Sequence, residues 1–462
     1  MNIQHKIYWS VCTKCKGFGK KKQRIKKTFT SENIPLKICS NCSGSGLIVS
    51  KNQTVPNFEE FPHIAIIGGG IGGTALAVAC LHRGIPFTIY ERDNGFNARS
   101  QGYGLTLQQA SKAIEGFGIS KLEKGVVSTK HIVHTSNGKV VAEWGMRKWL
   151  DDSNKKTSKK TNIHIGRQAL RQTLMEQLQS FETIKWGHKL IHLTEKNQQQ
   201  ITLTFEVNGA IETTTADLVV GADGIRSCVR NLIINEEKNM LRYLGCMVIL
   251  GICPLSSIET ADRTLLDSAT VFQTANGNER IYVMPYDANS VMWQLSFPID
   301  ETEAKKLSTN GVEALKTEAC KRTKWHAPIP QIISATHSNK ITGYPVYDRE
   351  QLAAELLENV GSVTLIGDAA HPMSPFKGQG ANQALLDALS LARTIYKNGN
   401  SIVNWRSKGL RKTVLKNFEA EMIQRSAVKV ADSAAAATFL HSEIAVHESD
   451  QPRGSVLKKS TS

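Results

Sequence analysis

The first clear feature in the pattern of apolar and polar residues is at His63–Ile67, where a short apolar run precedes a group of glycines. A run of this length predicts a buried strand. The small apolar residues of Ala75–Leu81 predict a helix directly after the glycines, and Pro86–Tyr90 predicts a second strand that ends at Glu91. Strand, turn, helix and strand in this order are typical of an α/β domain with a parallel sheet.

The pattern after this unit mixes helix and strand signals. In chain order it predicts a helix from about Gln108, a hairpin over residues 131–145 with its turn at Asn137-Gly138, a polar loop over 151–161, a helix from Arg167, a β-meander near 187–194, 200–207 and 211–216, and a buried strand at Asp217–Val220.

A second group of strand-like runs lies between residues 240 and 298 and predicts an antiparallel sheet. After it the pattern predicts a helix over 302–323, a buried strand at Ser362–Ile366, a helix that reaches about Tyr396, and a long alanine-rich helix over 407–440. We therefore expect a discontinuous α/β domain of residues 62–235 and 345–440, with a substrate domain of residues 236–344 inserted into it. Residues 51–61 are predicted to be a linker, and 441–462 a disordered tail.

The glycines after the first strand have a recognisable spacing. Gly68, Gly70 and Gly73 fill the pattern G-x-G-x-x-G of a dinucleotide-binding unit, in which the glycines permit a tight turn and a close approach of the backbone to a pyrophosphate. The pyrophosphate then lies at the start of the helix, where free N–H groups favour negative charge. Glu91 follows Gly73 by 18 residues, which suits the acid that binds a ribose.

Residues 1–50 predict a separate module, because the pattern C-x-x-C-x-G-x-G occurs in them twice. Cys12, Cys15, Cys39 and Cys42 are the four thiols, and two such pairs suit one tetrahedral zinc. Metal binding would supply the folding energy that so small a module lacks. A disulfide pair and a redox dithiol are the alternatives. The repeat resembles the cysteine-rich domain of DnaJ-type chaperones, although that domain has four repeats and two zinc sites.

Composition changes this picture little. The 462 residues are 40% hydrophobic and 21% charged, as in ordinary globular proteins. The sequence has no apolar run of the length of a membrane span, and it lacks a signal-peptide core at the N-terminus, so we expect a cytoplasmic protein. Residues 1–60 carry half of the net charge of +16. We interpret this basic excess as a solvated face and expect no nucleic acid partner, while a protein partner for the zinc module stays open.

Two further segments complete a more specific pattern. Gly221-Ala222-Asp223-Gly224 follows a predicted strand, and residues 367–384 read GDAAHPMSPFKGQGANQA. Together with Gly68–Gly73, they resemble the group A flavoprotein monooxygenases, the aromatic hydroxylases related to p-hydroxybenzoate and salicylate hydroxylases, over about residues 62–440. The stretch from Tyr90 to Arg99 is also similar to tetracycline-inactivating monooxygenases. The resemblance implies a Rossmann-like FAD-binding domain of the glutathione-reductase type.

The resemblance also implies roles for individual residues. The glycine turn would hold the FAD pyrophosphate, Asp223 would contact FAD and NAD(P)H, Asp368 would bind the ribityl chain, and Pro375 would lie beside the flavin ring. Arg167 and Arg171 are alternatives for the helix arginine that faces FAD. The full set of implied cofactor-binding residues is Gly68, Gly70, Gly72, Gly73, Glu91, Arg92, Arg99, Arg167, Arg171, Asp223, Gly224, Asp368, Pro375, Gly378, Gly380, Ala381 and Asn382.

No catalytic residue is assigned, and we interpret His371 as a turn residue rather than a base. Tyr282, Met284, Trp293 and Gln294 lie on predicted strands of the substrate sheet and could either line a pocket or pack in the core. By resemblance, the chain is expected to use FAD, NAD(P)H and O₂ to hydroxylate an aromatic or polycyclic molecule through a flavin C4a-hydroperoxide. The alternative is a flavoprotein reductase or flavin sensor whose zinc module binds a protein.

Overall fold

A computed structural model of the chain describes residues 7–22, 36–98, 102–145, 162–178, 184–196, 200–238, 240–399 and 402–448. The segments outside these ranges include the predicted loop 151–161, Arg99 and the tail beyond residue 448. Within the described ranges, no helix is both long enough and apolar enough to cross a bilayer.

Five strands form the parallel sheet that the glycine motif predicts. In spatial order they are Ile184–Trp186, Phe87–Glu91, Ile64–Ile67, Leu218–Gly221 and Val363–Leu365. Gly221 pairs with Ile67 on one side and with Leu365 on the other. These three neighbouring strands therefore end at the same level, and the turns that follow them meet at one edge of the sheet.

Two helices leave this edge side by side. Helix Ile71–Leu81 follows the first glycine turn, and helix Gly380–Gly399 follows the third. A Cβ on Gly72 would lie 3.5 Å from the Cβ of Ala384, so the two helices pack closely near their N-termini. Ten of the eleven residues of the first helix are buried, because the sheet covers it on one side and the second helix on another.

A seven-stranded sheet carries the predicted antiparallel pattern. Its strands in spatial order are Val140–Trp144, Lys130–Thr135, Thr270–Ala275, Arg280–Asp287, Ser290–Pro298, Arg242–Pro254 and Ile341–Asp348. All neighbours are antiparallel except Lys130–Thr135 and Thr270–Ala275, which pair in parallel. The predicted hairpin of residues 131–145 is present but belongs to this sheet, although the sequence placed it in the range of the FAD-binding domain. Its alternation specifies a hairpin and carries no local signal for the sheet that it joins.

Three helices cover one face of the seven-stranded sheet: Glu301–Thr309, Val312–Arg322 and Ile329–Ala335. The single helix predicted over 302–323 is wrong, because Gly311 between the first two has a φ of 87° and a ψ of 174°, an extended conformation that favours glycine and interrupts the helix. Trp293 is fully buried under these helices and donates a hydrogen bond to the Thr336 hydroxyl over 2.8 Å. Trp293 is thus a core residue.

Among the smaller elements, some match the sequence prediction and others do not. The predicted meander is present, but two short 3₁₀ turns replace the helix expected from Gln108. The bounds of these elements are Lys189–Lys196, Gln200–Val207 and Ala210–Ala216 for the meander; Gly104–Leu107, Val126–Val127 and Ile163–Gly166 for a small sheet; Arg167–Glu176 and Cys228–Ile233 for helices; and Gln109–Ser111 and Ala113–Phe117 for the two 3₁₀ turns.

The C-terminal helix is interrupted. Gly409, with a φ of 81°, separates helix Ile402–Lys408 from a π-helical turn at Arg411–Leu415 that continues into helix Lys416–Phe439. Part of the tail expected to be disordered has a defined conformation, since Glu443–Val446 forms a 3₁₀ turn and Glu448 pairs with Lys139 over 2.6 Å.

The N-terminal module consists of two short antiparallel pairs. Tyr8–Val11 pairs with Leu47–Ser50, and Lys20–Lys22 pairs with Leu36–Ile38. The four motif cysteines lie between these pairs and are all buried.

Candidate active site and cysteine cluster

A cleft of about 1190 Å³ lies between the parallel sheet and the seven-stranded sheet. The three glycine turns form one wall, and residues of the seven-stranded sheet form the opposite wall. A pocket for one small ligand has a volume of roughly 300–1,000 Å³. The cleft therefore has room for a cofactor together with a second small molecule.

The first glycine turn is shaped by contacts that exclude side chains. Gly68 has a φ of 109°, and a Cβ there would lie 2.6 Å from the carbonyl oxygen of Ala222. A Cβ on Gly73 would overlap the carbonyl oxygen of Gly68, whereas one on Gly70 would meet nothing within 4 Å. Helix Ile71–Leu81 has no side-chain cap and no acid in its first turn. Its free N–H groups therefore face the cleft, as a pyrophosphate site requires.

Glu91 and Arg171 hold this turn in place. Glu91 accepts hydrogen bonds from the backbone N–H of Gly69 at 2.7 Å and of Asp93 at 3.0 Å. Arg171 donates to the Gly69 carbonyl at 2.7 Å. Arg167 instead lies in the cleft wall with its guanidinium 5.2 Å from the centre of the Tyr103 ring.

The Asp223-Gly224 pair marks the second turn. The Asp223 carboxylate accepts hydrogen bonds from the Ser227 hydroxyl at 2.5 Å and the Cys228 backbone N–H at 2.6 Å. Burial raises the pKa of Asp223, and these hydrogen bonds oppose the increase. Asp223 therefore fixes the start of helix Cys228–Ile233, while Gly224 lines the cleft beside it.

Asp368 is the carboxylate of the third turn that is open to the cleft. It lies 3.3 Å from the position of a Cβ on Gly380, at the start of helix Gly380–Gly399. Partial desolvation inside the cleft raises the pKa of Asp368, an effect that His371 and Arg167 oppose. Pro375, Gly378 and the helix start also line the cleft.

Asn382 does not face the cleft in the way its motif suggested. Its amide oxygen accepts hydrogen bonds from the N–H groups of Gln108 at 2.8 Å and Ala110 at 3.1 Å. Its amide nitrogen donates to the carbonyls of Thr106 at 2.9 Å and Gly378 at 2.8 Å. With all four bonds made and no exposed surface, Asn382 joins the glycine loop to the 3₁₀ turn beside it.

His371 belongs to a buried network that the sequence did not reveal. Its Nε2 lies 2.7 Å from Asp387, which also bonds Arg425 at 2.8 Å and the Gly367 backbone N–H at 2.8 Å. Burial acts to raise the pKa of Asp387, but His371 and Arg425 hold it below its usual range. An acid on an otherwise apolar helix face is the sequence signal that could have identified Asp387.

On the substrate side, Tyr282, Met284 and Gln294 line the cleft, and Trp293 does not. The sequence analysis missed Arg280, which also lines it and is only 5% exposed. Its Nε donates to the Gln273 side chain at 2.7 Å, and its guanidinium lies 5.1 Å from the Tyr282 ring centre. Burial lowers the pKa of Arg280 to about 10. Among the described residues, no carboxylate pairs with it.

The four motif cysteines form a compact cluster. Their sulfur atoms all lie within 4.8 Å of one another, with Cys15 and Cys42 at 3.6 Å and Cys12 and Cys39 at 4.0 Å. Sulfurs around a tetrahedral zinc with Zn–S bonds of about 2.3 Å are separated by roughly 3.8 Å. The cluster thus has the donor type and spacing that zinc requires.

The glycines of the repeat explain this geometry. The backbone N–H of Gly19 donates to the Cys15 sulfur at 3.2 Å, and that of Gly46 donates to the Cys42 sulfur at 3.3 Å. Both glycines have positive φ, and a Cβ on either would overlap the backbone of the other repeat. The two repeats are therefore related by an approximate twofold arrangement that only glycine allows.

Comparisons with known proteins agree with this fold. A family model described as FAD binding domain matches residues 62–400. The aurachin C monooxygenase/isomerase of Stigmatella aurantiaca is 28% identical over 351 residues, which are 72% of this chain and 80% of that protein. Homologues of this chain are thus named as FAD-dependent monooxygenases and related oxygenases.

Solved structures show the same fold. Klebsiella pneumoniae HpxO complexed with FAD and uric acid has a TM-score of 0.67 and 17% identity, covering 86% of this chain and 92% of that one. The tetracycline destructase Tet(51) has a TM-score of 0.57 and 16% identity, covering 87% of this chain and 95% of that one.

Proposed function

The chain belongs to the FAD binding domain family, and from this premise we propose that it is a monooxygenase that uses FAD, NAD(P)H and O₂ to hydroxylate an aromatic or polycyclic small molecule. The observation that carries the proposal is the single cleft bounded by the three glycine turns and the seven-stranded sheet. When bound, FAD would supply the redox chemistry that amino-acid side chains cannot.

The residues of the cleft fit this cofactor. The uncapped start of helix Ile71–Leu81 and the open space at Gly70 would accept the pyrophosphate, and Glu91 would accept a ribose hydroxyl through its remaining lone pairs. Asp368 would bind the ribityl chain from the third turn, since the described residues offer its carboxylate no hydrogen-bond donor. The start of helix Gly380–Gly399 would favour negative charge on the ring end of the cofactor.

The substrate would occupy the part of the cleft beside the seven-stranded sheet. Tyr282 and Met284 supply an aromatic and an apolar surface there. Arg280 adds a buried positive charge without a carboxylate partner, and such a charge is costly unless it is compensated. The bound substrate would therefore present a carboxylate, a phenolate or an enolate to Arg280, an electron-rich anion of the kind that suits oxygen insertion.

Oxidation of NADH and NADPH by the purified protein, measured across phenols, salicylates and tetracyclines with mass spectrometry of each product, tests the activity. We expect one class of compound both to accelerate oxidation and to gain one oxygen atom. Protein-bound FAD with no stimulated oxidation by any anionic aromatic compound, and no oxygenated product, would contradict the proposal and favour a reductase or a flavin sensor.

We also propose that the cysteine cluster binds zinc as a structural site. The tetrahedral spacing of the four sulfurs and the two N–H···S hydrogen bonds support this proposal. Metal analysis of protein purified without chelators should give about one zinc per chain. Disulfides or four reactive thiols in metal-free protein would contradict it.

A further inference from the structure

The cysteine cluster is packed against the α/β domain rather than extended from it. The Trp9 ring lies so close to Gly118 that a Cβ there would be 2.6 Å from it, and the Trp9 carbonyl accepts a hydrogen bond from Thr54 at 2.9 Å. On the other side, Lys397 lies 5.5 Å from the centre of the Phe18 ring. The module therefore rests on the last turns of the two helices that start at the cleft.

Two arginines of the α/β domain lie beneath the module. Arg83, just past helix Ile71–Leu81, is 2% exposed. Its Nη1 donates to the Ala79 carbonyl at 2.8 Å, but its Nε and Nη2 have no partner. Arg393, in helix Gly380–Gly399, donates from Nη2 to the Ser45 carbonyl at 2.9 Å, and its Nε has no partner. Within the described residues, neither guanidinium forms an ion pair.

Both guanidiniums point at the repeats that hold the cysteines. Arg83 Nε lies 3.9 Å from the position of a Cβ on Gly17, and Arg393 Nη2 lies 3.4 Å from that of a Cβ on Gly46. Electrostatic interaction joins Cys15 to both arginines and Cys42 to Arg393. Unpaired buried cations are strongly destabilising, so this pair needs a negative charge that the described side chains do not supply.

Metal binding would supply that charge, because the four thiols lose their protons to solvent and bind the metal as thiolates. Zinc carries two positive charges and four thiolates carry four negative charges, so the occupied site has a net charge of −2. We propose that the zinc tetrathiolate of Cys12, Cys15, Cys39 and Cys42 is the counter-ion of Arg83 and Arg393. This inference rests on the zinc site proposed above, and it gives the N-terminal module a role in the stability of the flavin domain.

The positions of the arginines make this role specific. Helix Ile71–Leu81 is about 16 Å long and the part of the second helix before Arg393 about 20 Å, at 1.5 Å per residue. The module therefore joins the far ends of two helices whose first turns form the cleft. Loss of the metal leaves two uncompensated cations between these ends, and the whole domain becomes less stable.

The test compares the full-length protein with and without zinc in three backgrounds. These are the wild type, the double variant Arg83→Met/Arg393→Met, and the control Arg406→Met. Arg406 also joins the N-terminal segment to the α/β domain, but it donates to the carbonyls of Glu59 and Phe58, outside the cysteine repeats. Thermal midpoint, zinc content and visible flavin absorbance are measured for each before and after treatment with a zinc chelator.

We expect chelation to lower the thermal midpoint of the wild type and of the Arg406 variant by similar amounts, and that of the double variant by much less. Metal-free double variant should also melt at a higher temperature than metal-free wild type, since it lacks the uncompensated cations. Zinc affinity, measured by competition with a chromogenic chelator, should fall about 10- to 100-fold in the double variant, the usual effect of losing supporting residues around a metal site.

A second double variant keeps both positive charges, and it shows whether the effects of the methionine variant come from the lost charges or from misfolding. Arg83→Lys/Arg393→Lys should keep zinc affinity within a few-fold of the wild type, and a 10-fold loss there would overturn the charge argument. Equal decreases of the thermal midpoint on chelation in all backgrounds would also overturn the charge argument, but they would leave the proposed zinc site standing. A protein that binds flavin but never binds zinc would contradict both the proposed metal site and this inference. The proposed flavin function would not be affected.

Discussion

At the scale of single residues, substitutions at Gly70 and Gly73 distinguish an effect on FAD affinity from an effect on the stability of the fold. A Cβ on Gly70 meets no atom within 4 Å, and its φ of −74° suits any residue. We expect Gly70→Ala to leave the thermal stability of the FAD-free protein unchanged. FAD affinity should fall at least about tenfold, or about 1.4 kcal/mol, because the methyl group occupies the approach of the pyrophosphate.

Flavin fluorescence titration measures the affinity, and Gly73→Ala serves as the matched control. Its methyl group would overlap the Gly68 carbonyl, so this variant should lose stability as well as FAD. Unchanged FAD affinity in Gly70→Ala would place the pyrophosphate elsewhere.

Substitution of Arg280 tests whether the substrate carries a negative charge. Arg280→Gln removes a buried cation that has no carboxylate partner among the described residues, so the fold should tolerate it. A charge-assisted hydrogen bond contributes about 1.5–3 kcal/mol, so KM for an anionic substrate should rise roughly 10- to 100-fold. Steady-state kinetics with the substrate and with its neutral ester or ether should show this increase for the anion alone. Equal effects on both compounds would indicate that Arg280 supports the packing of the cleft instead.

At the scale of elements, Asn382 connects the third turn to strand Gly104–Leu107 and to the 3₁₀ turn after it through four hydrogen bonds. Asn382→Ala leaves two buried N–H donors without an acceptor, which costs about 1–3 kcal/mol per group. We expect a lower thermal midpoint and faster loss of FAD on dilution. Asn382→Asp is the matched variant, since it keeps the acceptor oxygen and replaces the donor by an oxygen that faces the carbonyls of Thr106 and Gly378. A midpoint unchanged in both variants would show that the loop does not depend on this side chain.

At the scale of the whole molecule, five histidines make the fold sensitive to acid. Burial lowers the pKa of His82, His131, His134 and His441 to about 4 and that of His164 to about 3. An unfolded histidine has a pKa of about 6.5, so between these values the unfolded chain binds more protons. Stability is therefore present above pH 6.5 and is lost as the pH falls towards 4.

Each of these histidines contributes up to about 1.4 kcal/mol per pH unit in that range. Urea unfolding midpoints at pH 7.5, 6 and 5 should fall steeply, and His441→Gln should make the decline shallower. A midpoint that does not change over this range would contradict neutral burial of the five rings.

Local patterns predicted the strand–turn–helix units and the cysteine repeat well, because their signals lie within a few adjacent residues. The three glycine turns meet since parallel strands end at one edge, which follows from the strand order alone. Long-range pairing was not predictable in this way. Nothing near residues 130–144 indicates a parallel partner at Thr270–Ala275, and nothing near Arg280 shows that it would be buried without an acid. The interruptions at Gly311 and Gly409 depend on positive φ at glycines that sequence patterns treat as neutral.

The hydrogen bond between Arg393 and Ser45 joins residues 348 positions apart in the chain. A ribosome adds roughly 5–20 residues per second, so the cysteine repeats leave it on the order of tens of seconds before Arg393 is made. During that interval the cysteine repeats have neither Arg393 nor the helix that carries it. Translation thus imposes an order on the assembly of this protein, in which the cysteine repeats are made long before Arg393 completes their electrostatic environment.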